Sequence, residues 1–418
     1  MGNSAAAAGD LCLGRGGRGL GGPPPEPGGA GCGAGRARGE PGGLATTVGG
    51  GLNGNHKWMG GVRARDGVIY GMPGNAGAVL RIDPVAGEVG TIGGPFEGKY
   101  KWGRGTLAPN GAIYGIPSTA TSILKIVPDT RQVTTIGHGL PEGDWKWHGG
   151  AVLPDGTIYC VPACAQVMLK VDTNTDEVST IASSLGGMER RCKWYGGIRA
   201  GDGCIYGVPY PGARSHGRLP VLTRAALGVG ARFRGVPGGT PADCAGSVLK
   251  FDPRTEEMTT IGPVFEGEYK WHGGVLARDG AIYAIPAHAT SVLKIVPATG
   301  EVTTIGGGLH GTYKWQGGVL GDDGCVYGIP ADGESVLKVV PQTGQVTTIG
   351  GPFKGGGKWQ GGVNGGDGNI YGIPAHANSV LRISTATGEV TTFGGPFVGY
   401  KKWSTGSLAP TATCTASP

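Results

Sequence analysis

The sequence predicts an all-β, closed repeat protein: a seven-bladed β-propeller of four-stranded blades. Three observations carry this expectation. A Lys-Trp dipeptide recurs along most of the chain, each complete unit after it carries four short strand signals, and the glycines fall at fixed places in the period. Gly (89 residues) and Pro (30 residues) exceed a quarter of the 418-residue chain, a level that signals low complexity unless it is periodic. Here most of it is periodic, so the glycine belongs to turns and crowded strands.

Trp58, Trp102, Trp147, Trp194, Trp271, Trp315, Trp359 and Trp403 each follow a Lys, at spacings of 44, 45, 47, 77, 44, 44 and 44 residues. The best-formed unit runs from Lys270 to Gly308. Its first strand is expected over 273–277 and its second over 281–286, joined by Asp279-Gly280, a dipeptide that tolerates positive φ and closes tight hairpins. The same junction holds Asp66-Gly67, Asn110-Gly111, Asp155-Gly156, Asp202-Gly203, Asp323-Gly324 and Asp367-Gly368. A β-branched, alternating third strand over 291–297 reads as half-buried. A Thr-rich fourth strand over 301–307 suits a soluble outer edge. Four antiparallel strands in about 44 residues is the size of a propeller blade.

The ends bear on the count. Thr46–Gly50 matches a fourth strand without its first three, and Lys402–Pro410 matches a first strand without its last three. Seven blades closed by a terminal strand follow, with an eighth, incomplete blade or a truncated longer array as the alternative. The domain division is a Gly/Pro/Arg-rich disordered tail over 1–45 and a propeller over 46–418. An irregular insertion over 211–246 breaks the fourth unit, as a surface loop or, slightly favoured, an untrimmed intron.

The net charge of +6 is distributed in a way that excludes a nucleic-acid partner. Residues 1–45 carry about +1 of it and the insertion +4, leaving the blades near neutral. Nine scattered cysteines without a CxxC pair fit neither a disulfide framework nor a zinc site and suggest a reducing, cytoplasmic setting. No apolar run is long enough for a membrane span. Gly2 after Met1 resembles an N-myristoylation start, although Ala6 stands where Ser or Thr is usual.

The unit pattern GG-V-x-A-x-DG-x-I-Y-G-I-P, followed by SVLKIVPxTGEVTTIGG, resembles the virginiamycin B lyase-like propellers. More loosely it resembles the NHL-like (and kelch-like) and gluconolactonase-like ones. In those families HGI-x-x-x-x-DG-x-L-W-F-T runs into K-I-G-R-I-D-P-x-T-G-E. The resemblance covers about residues 46–418 and implies a propeller with its site at the hub. Gluconolactonase-like enzymes hold a divalent metal on inner-strand Glu, Asn and Asp. The matching positions here are Gly, Val, Leu and Ala, with Asn364 the exception. His148 and His272 match the His of the HGI motif, with no acid two residues away.

In such a blade the loop entering strand one shares a face with the loop from strand two to strand three, and the Asp-Gly turns lie opposite. All eight histidines fall on the first class of segment or in the insertion. The residue after each Trp varies where its neighbours do not: Met59, Gly103, His148, Tyr195, His272, Gln316 and Gln360. His148, Tyr195, His272, Gln316 and Gln360 are therefore the candidate ligand-binding residues at the hub rim. Lys146, Lys270, Lys314 and Lys358 are candidates for an anion. Against that, the buried Trp favours a mechanical joint, with each Lys stem on the ring and its head in water. No catalytic constellation and no cofactor is expected. A divalent metal is a minor possibility, for which Asp332, Glu334, His288 and His376 are the best oxygen and nitrogen donors.

The functional expectation is a non-catalytic binding or scaffold propeller that engages a protein, peptide or glycan on the Lys-Trp loop face. The alternative is a metal-assisted lyase or lactonase at the hub, using His148 and His272.

Overall fold

The seven Asp-Gly or Asn-Gly junctions set the blades. In each one the side-chain oxygen of Asp or Asn accepts the backbone N–H two residues on, as in Val68 to Asp66 (2.9 Å) and Ala281 to Asp279 (3.0 Å). The glycine that follows takes a φ of +78 to +95° in all seven, a region that costs a Cβ-bearing residue about 1–2 kcal/mol. In four units the second carboxylate oxygen also accepts the hydroxyl of the Tyr four residues on, at 2.8 Å. The recurring D-G-x-I-Y spelling is thus one hydrogen-bonded corner.

In the computed structural model each corner joins the first two strands of one of seven four-stranded antiparallel sheets, which follow one another in chain order. The described residues are 13–14, 44–45, 47–48, 54, 56–183, 185, 188, 193–211, 246–399, 401–403, 405–408 and 414–417. The inner strands are Trp58–Arg63, Trp102–Leu107, Trp147–Val152, Trp194–Arg199, Trp271–Leu276, Trp315–Leu320 and Trp359–Asn364. The seven-bladed expectation holds. In blade five the strands fall at Trp271–Leu276, Ile282–Pro286, Val292–Val296 and Glu301–Ile305, so the Trp itself opens the first strand. Of the insertion, residues 212–245 lie outside the described residues, as does Gly2.

Second strands are fully or mostly buried, whereas fourth strands are a mixture of half-buried and exposed residues. The core is a series of inter-blade clusters. One joins Tyr114 and Ile116 of blade two to Trp147, Ile158 and Leu169 of blade three. Another joins Val275 and Tyr283 of blade five to Trp315 and Leu337 of blade six. Each of these seven Trp side chains donates its indole N–H at 2.7–2.9 Å to a carbonyl at the start of, or just before, strand three of its own blade. In blade four that acceptor is Ser247, so the insertion leaves the joint intact.

The seam between blade seven and blade one holds the chain termini. Strand Thr405–Leu408 lies beside both inner strands, Trp359–Asn364 and Trp58–Arg63, and pairs with Cys414–Ser417. Leu13–Gly14 pairs with Leu44–Ala45. The expected fourth strand at Thr46–Gly50 is displaced to Leu44–Ala45, with Thr47 and Val48 outside any strand. Ala45 packs over Gly394 where strand-four valines pack over the equivalent glycines of other blades, Val133 over Gly93 and Val390 over Gly350. The rest of the expected tail lies outside the described residues.

Candidate functional site

A bulge at the start of each inner strand positions the hub. The pairing with strand two slips just after the Trp in six blades, and between Tyr195 and Ile198 in blade four. In blades three to seven the first glycine of the pair sits at φ +70 to +95°, which is why Gly-Gly recurs there. In six blades the bulge takes the residue after the Trp out of the ladder, whereas in blade four Tyr195 stays paired with Val208 and the slip follows it.

Three of the five candidate rim residues come together. His148, Tyr195 and His272, from blades three, four and five, form a continuous row of tilted rings with centroids 4.0 Å and 4.3 Å apart. Both histidines are half-buried, and the Nδ1 of each is enclosed without a hydrogen-bond partner. Gln316 and Gln360 are half-buried in the next two blades and make no hydrogen bond to a described residue.

A sixth member is Arg104. Its guanidinium donates to the Tyr195 hydroxyl at 3.1 Å and lies 5.5 Å from the Tyr195 ring. It was legible only as a defect. Blade two reads KWGRG where the others read KWxGG, and the position read for variation was the neighbouring Gly103. Arg104 itself pairs in register with Ile116, so no positive φ is needed there. Burial, and then the Arg104 charge, hold His148 well below its ordinary pKa and bring His272 down to about 3. Burial pushes the Tyr195 hydroxyl up, with Arg104 opposing. At neutral pH the cluster is two neutral imidazoles, a neutral phenol and one cation.

The residue before each Lys is the feature that the sequence reading passed over. His56, Tyr100, Trp145, Tyr269 and Tyr313 hold φ between +46 and +53°, where the equivalent position of blade seven has Gly357. These side chains extend the row into an arc. His56 meets Tyr100, Tyr100 meets Trp145 and Trp145 faces His148, at 5.4–6.5 Å between centroids. Beyond Tyr195 the contacts run through Tyr210, Tyr269 and Tyr313 at 5.1–6.0 Å. His288 packs edge-on to Tyr313 at 4.3 Å, its Nε2 buried and unpartnered.

The lysines have a different placement from the one expected. Lys101, Lys146, Lys193, Lys270, Lys314 and Lys358 are at most 5 % exposed, so their heads are not in water. Each ammonium donates to two backbone carbonyls at 2.6–3.1 Å. In five of the six, one acceptor at least belongs to the preceding blade, such as Ala287 for Lys314 and Ala331 for Lys358. Burial lowers Lys146 and Lys314 to about 8. As anion ligands Lys146, Lys270, Lys314 and Lys358 are directed into the blade junctions. Lys402 repeats the joint at the seam, on Ala375 and Gly399.

Three of the four donors of the minor metal reading are engaged elsewhere, and His288 is the exception. Asp332 accepts the Gly357 amide at 2.6 Å, Glu334 pairs with Lys354, and His376 contacts the Gly356 carbonyl at 3.0 Å. Among the described residues no three His, Cys, Asp or Glu side chains converge as a metal-holding group. The Arg104 charge at the hub also opposes a divalent cation beside His148 and His272.

The fold and this hub define a β-propeller with a polar, aromatic-walled channel mouth. No protein-family model and no curated protein matches the chain. Solved structures do. A streptogramin B lyase aligns with a TM-score of 0.55 at 12 % identity, over 77 % of this chain and 93 % of the lyase. Catalytically inactive virginiamycin B lyase from Staphylococcus aureus, with quinupristin, aligns at 0.52 and 12 %, over 74 % and 92 %. Hydrazine synthase of Kuenenia stuttgartiensis aligns at 0.50 and 14 %, over 82 % and 99 %. The resemblance to virginiamycin B lyase-like propellers is therefore a likeness of fold. No helix among the described residues is long and apolar enough to cross a membrane.

Proposed function

We propose that this chain is a non-catalytic binding propeller that engages a protein, peptide or glycan on its Lys-Trp loop face. Arg104, His148, Tyr195, His272, Gln316 and Gln360 are its contact set. The observation that carries this reading is the pair of enclosed, unpartnered Nδ1 atoms on either side of Tyr195. A buried polar atom without a partner costs about 1–3 kcal/mol, and a ligand donor reaching the hub removes that cost. The aromatic arc adds flat apolar surface beside the polar centre, the composition usual for ligand mouths.

The test is a glycan array and a peptide library probed with the full chain and with its His272→Ala/Gln316→Ala variant. Loss of the wild-type hits in the variant is the expected result, and hits unchanged by it overturn the assignment. The metal-assisted lyase or lactonase reading has the fold likeness in its favour and the hub cation against it. A thermal shift with Mg, Mn, Ca or Zn ions, abolished in His148→Ala, would favour that alternative instead.

A further inference from the structure

The opposite mouth of the channel, where the Asp-Gly turns gather, holds a second site. A cleft of about 430 Å³ opens there among the ends of the inner strands of blades one to four. Apolar side chains line part of it, Leu107 and Pro109 of blade two and Val152 and Pro154 of blade three, and the rest of the lining surface is polar. Its two ends are arginines, Arg65 from the turn of blade one and Arg199, the last residue of the inner strand of blade four. No carboxylate lines it.

The two arginines differ from others in the chain. Arg81 and Arg254 each have an aspartate within 3.1 Å, Asp83 and Asp252. Arg199 is half-buried with its Nε enclosed, and it makes no hydrogen bond or ion pair with any described residue. A guanidinium taken out of water without a counter-charge is costly and is ordinarily paired. Arg65 is exposed and is held over blade two by a hydrogen bond to the Pro109 carbonyl. That bond fixes a second positive charge at the rim of the same cleft.

We propose that this cleft binds a small amphiphilic carboxylate. The carboxylate pairs with Arg199, whose planar donors match it two to two, and Arg65 adds a second charge. The apolar body lies along Leu107, Pro109, Val152 and Pro154. The inference is independent of the loop-face reading, because it uses none of the same residues.

The test is thermal shift and calorimetry on the full chain with octanoate, octanamide and inorganic phosphate at matched ionic strength. Octanoate raises the melting temperature, whereas octanamide and phosphate do not. Arg199→Gln and the exposed Arg65→Gln each weaken octanoate binding about tenfold or more. Lys354→Gln, which removes an exposed cation elsewhere, leaves it unchanged. An equal response to octanamide or to phosphate overturns the proposal. So does an octanoate response that survives Arg65→Gln or Arg199→Gln, or one lost in Lys354→Gln.

Discussion

The two mouths of the channel are built by the same seven units under opposite rules. At the Asp-Gly mouth, every first turn that needs a left-handed backbone places glycine there, from Gly67 to Gly368. At the loop mouth, the residue before the Lys takes the same backbone in the six blades where it is described, yet five of them keep Tyr, Trp or His and blade seven has Gly357. Left-handed backbone at a bulky residue costs on the order of 1 kcal/mol, and it persists where the surroundings hold it or a function uses it. The first turns are thus relaxed and uniform, while the loop mouth keeps strain at the residue before Lys and unfilled imidazole nitrogens at the hub. The turn mouth departs from its own rule at single places, in the left-handed Arg131, Asp176 and Glu256 of later turns and in the unpartnered Nε of Arg199. The same contrast separates Lys-Trp, a joint whose indole N–H is bonded in all seven blades and whose ammonium holds two carbonyls in six, from the hub residue that follows it.

If the joint is what holds the ring, Trp315→Ala should destabilise by about 3–5 kcal/mol in urea unfolding, since it empties a 4 %-exposed site between blades five and six. A loss below about 1 kcal/mol would break the assignment of Lys-Trp to the frame.

Acid should act on the loop mouth through its histidines. His272 has a folded pKa of about 3 against an ordinary 6.5, and His148 is displaced the same way. Between those values the unfolded chain binds more protons, so stability falls as pH drops from 6.5 toward about 3. The slope is at most ~1.4 kcal/mol per pH unit for each group. His272→Gln should flatten the acid limb of the stability profile; an unchanged limb would mean that the ring is not desolvated.

Smaller effects separate the two mouths directly. Gly280→Ala, at φ +81°, should cost about 1–2 kcal/mol. Tyr313→Gly, at φ +46°, should change stability by less than about 0.5 kcal/mol, because relief of the backbone offsets the lost contact with His288. That variant should nevertheless weaken binding at the loop face. Equal destabilisation by the two substitutions would erase the contrast.

Most of the frame was legible in the sequence because local rules write it. The Asp-Gly corners, the Trp period and the placement of Ser247 after the insertion each follow from short-range chemistry repeated seven times. The hub was partly legible, since variation one residue after the Trp located His148, Tyr195 and His272. Arg104 and the aromatic residues before Lys were not. Arg104 appears as a missing glycine, and the conformational cost of Tyr100 or Tyr313 shows only in the backbone angle. The lysine heads were read as solvated because nothing in sequence shows the carbonyls of the preceding blade closing over them. Arg199 carries no signal in the sequence, because only the fold shows that its side chain lacks a counter-ion.

The central claim is that the hub holds desolvated, unfilled nitrogens, and ring ¹⁵N NMR of the full chain tests it most directly. Spectra at about pH 5 read the protonation state of each histidine, where an ordinary imidazole is mostly charged. The account predicts neutral rings with one bare nitrogen for both His148 and His272. A charged imidazolium at either position would contradict it.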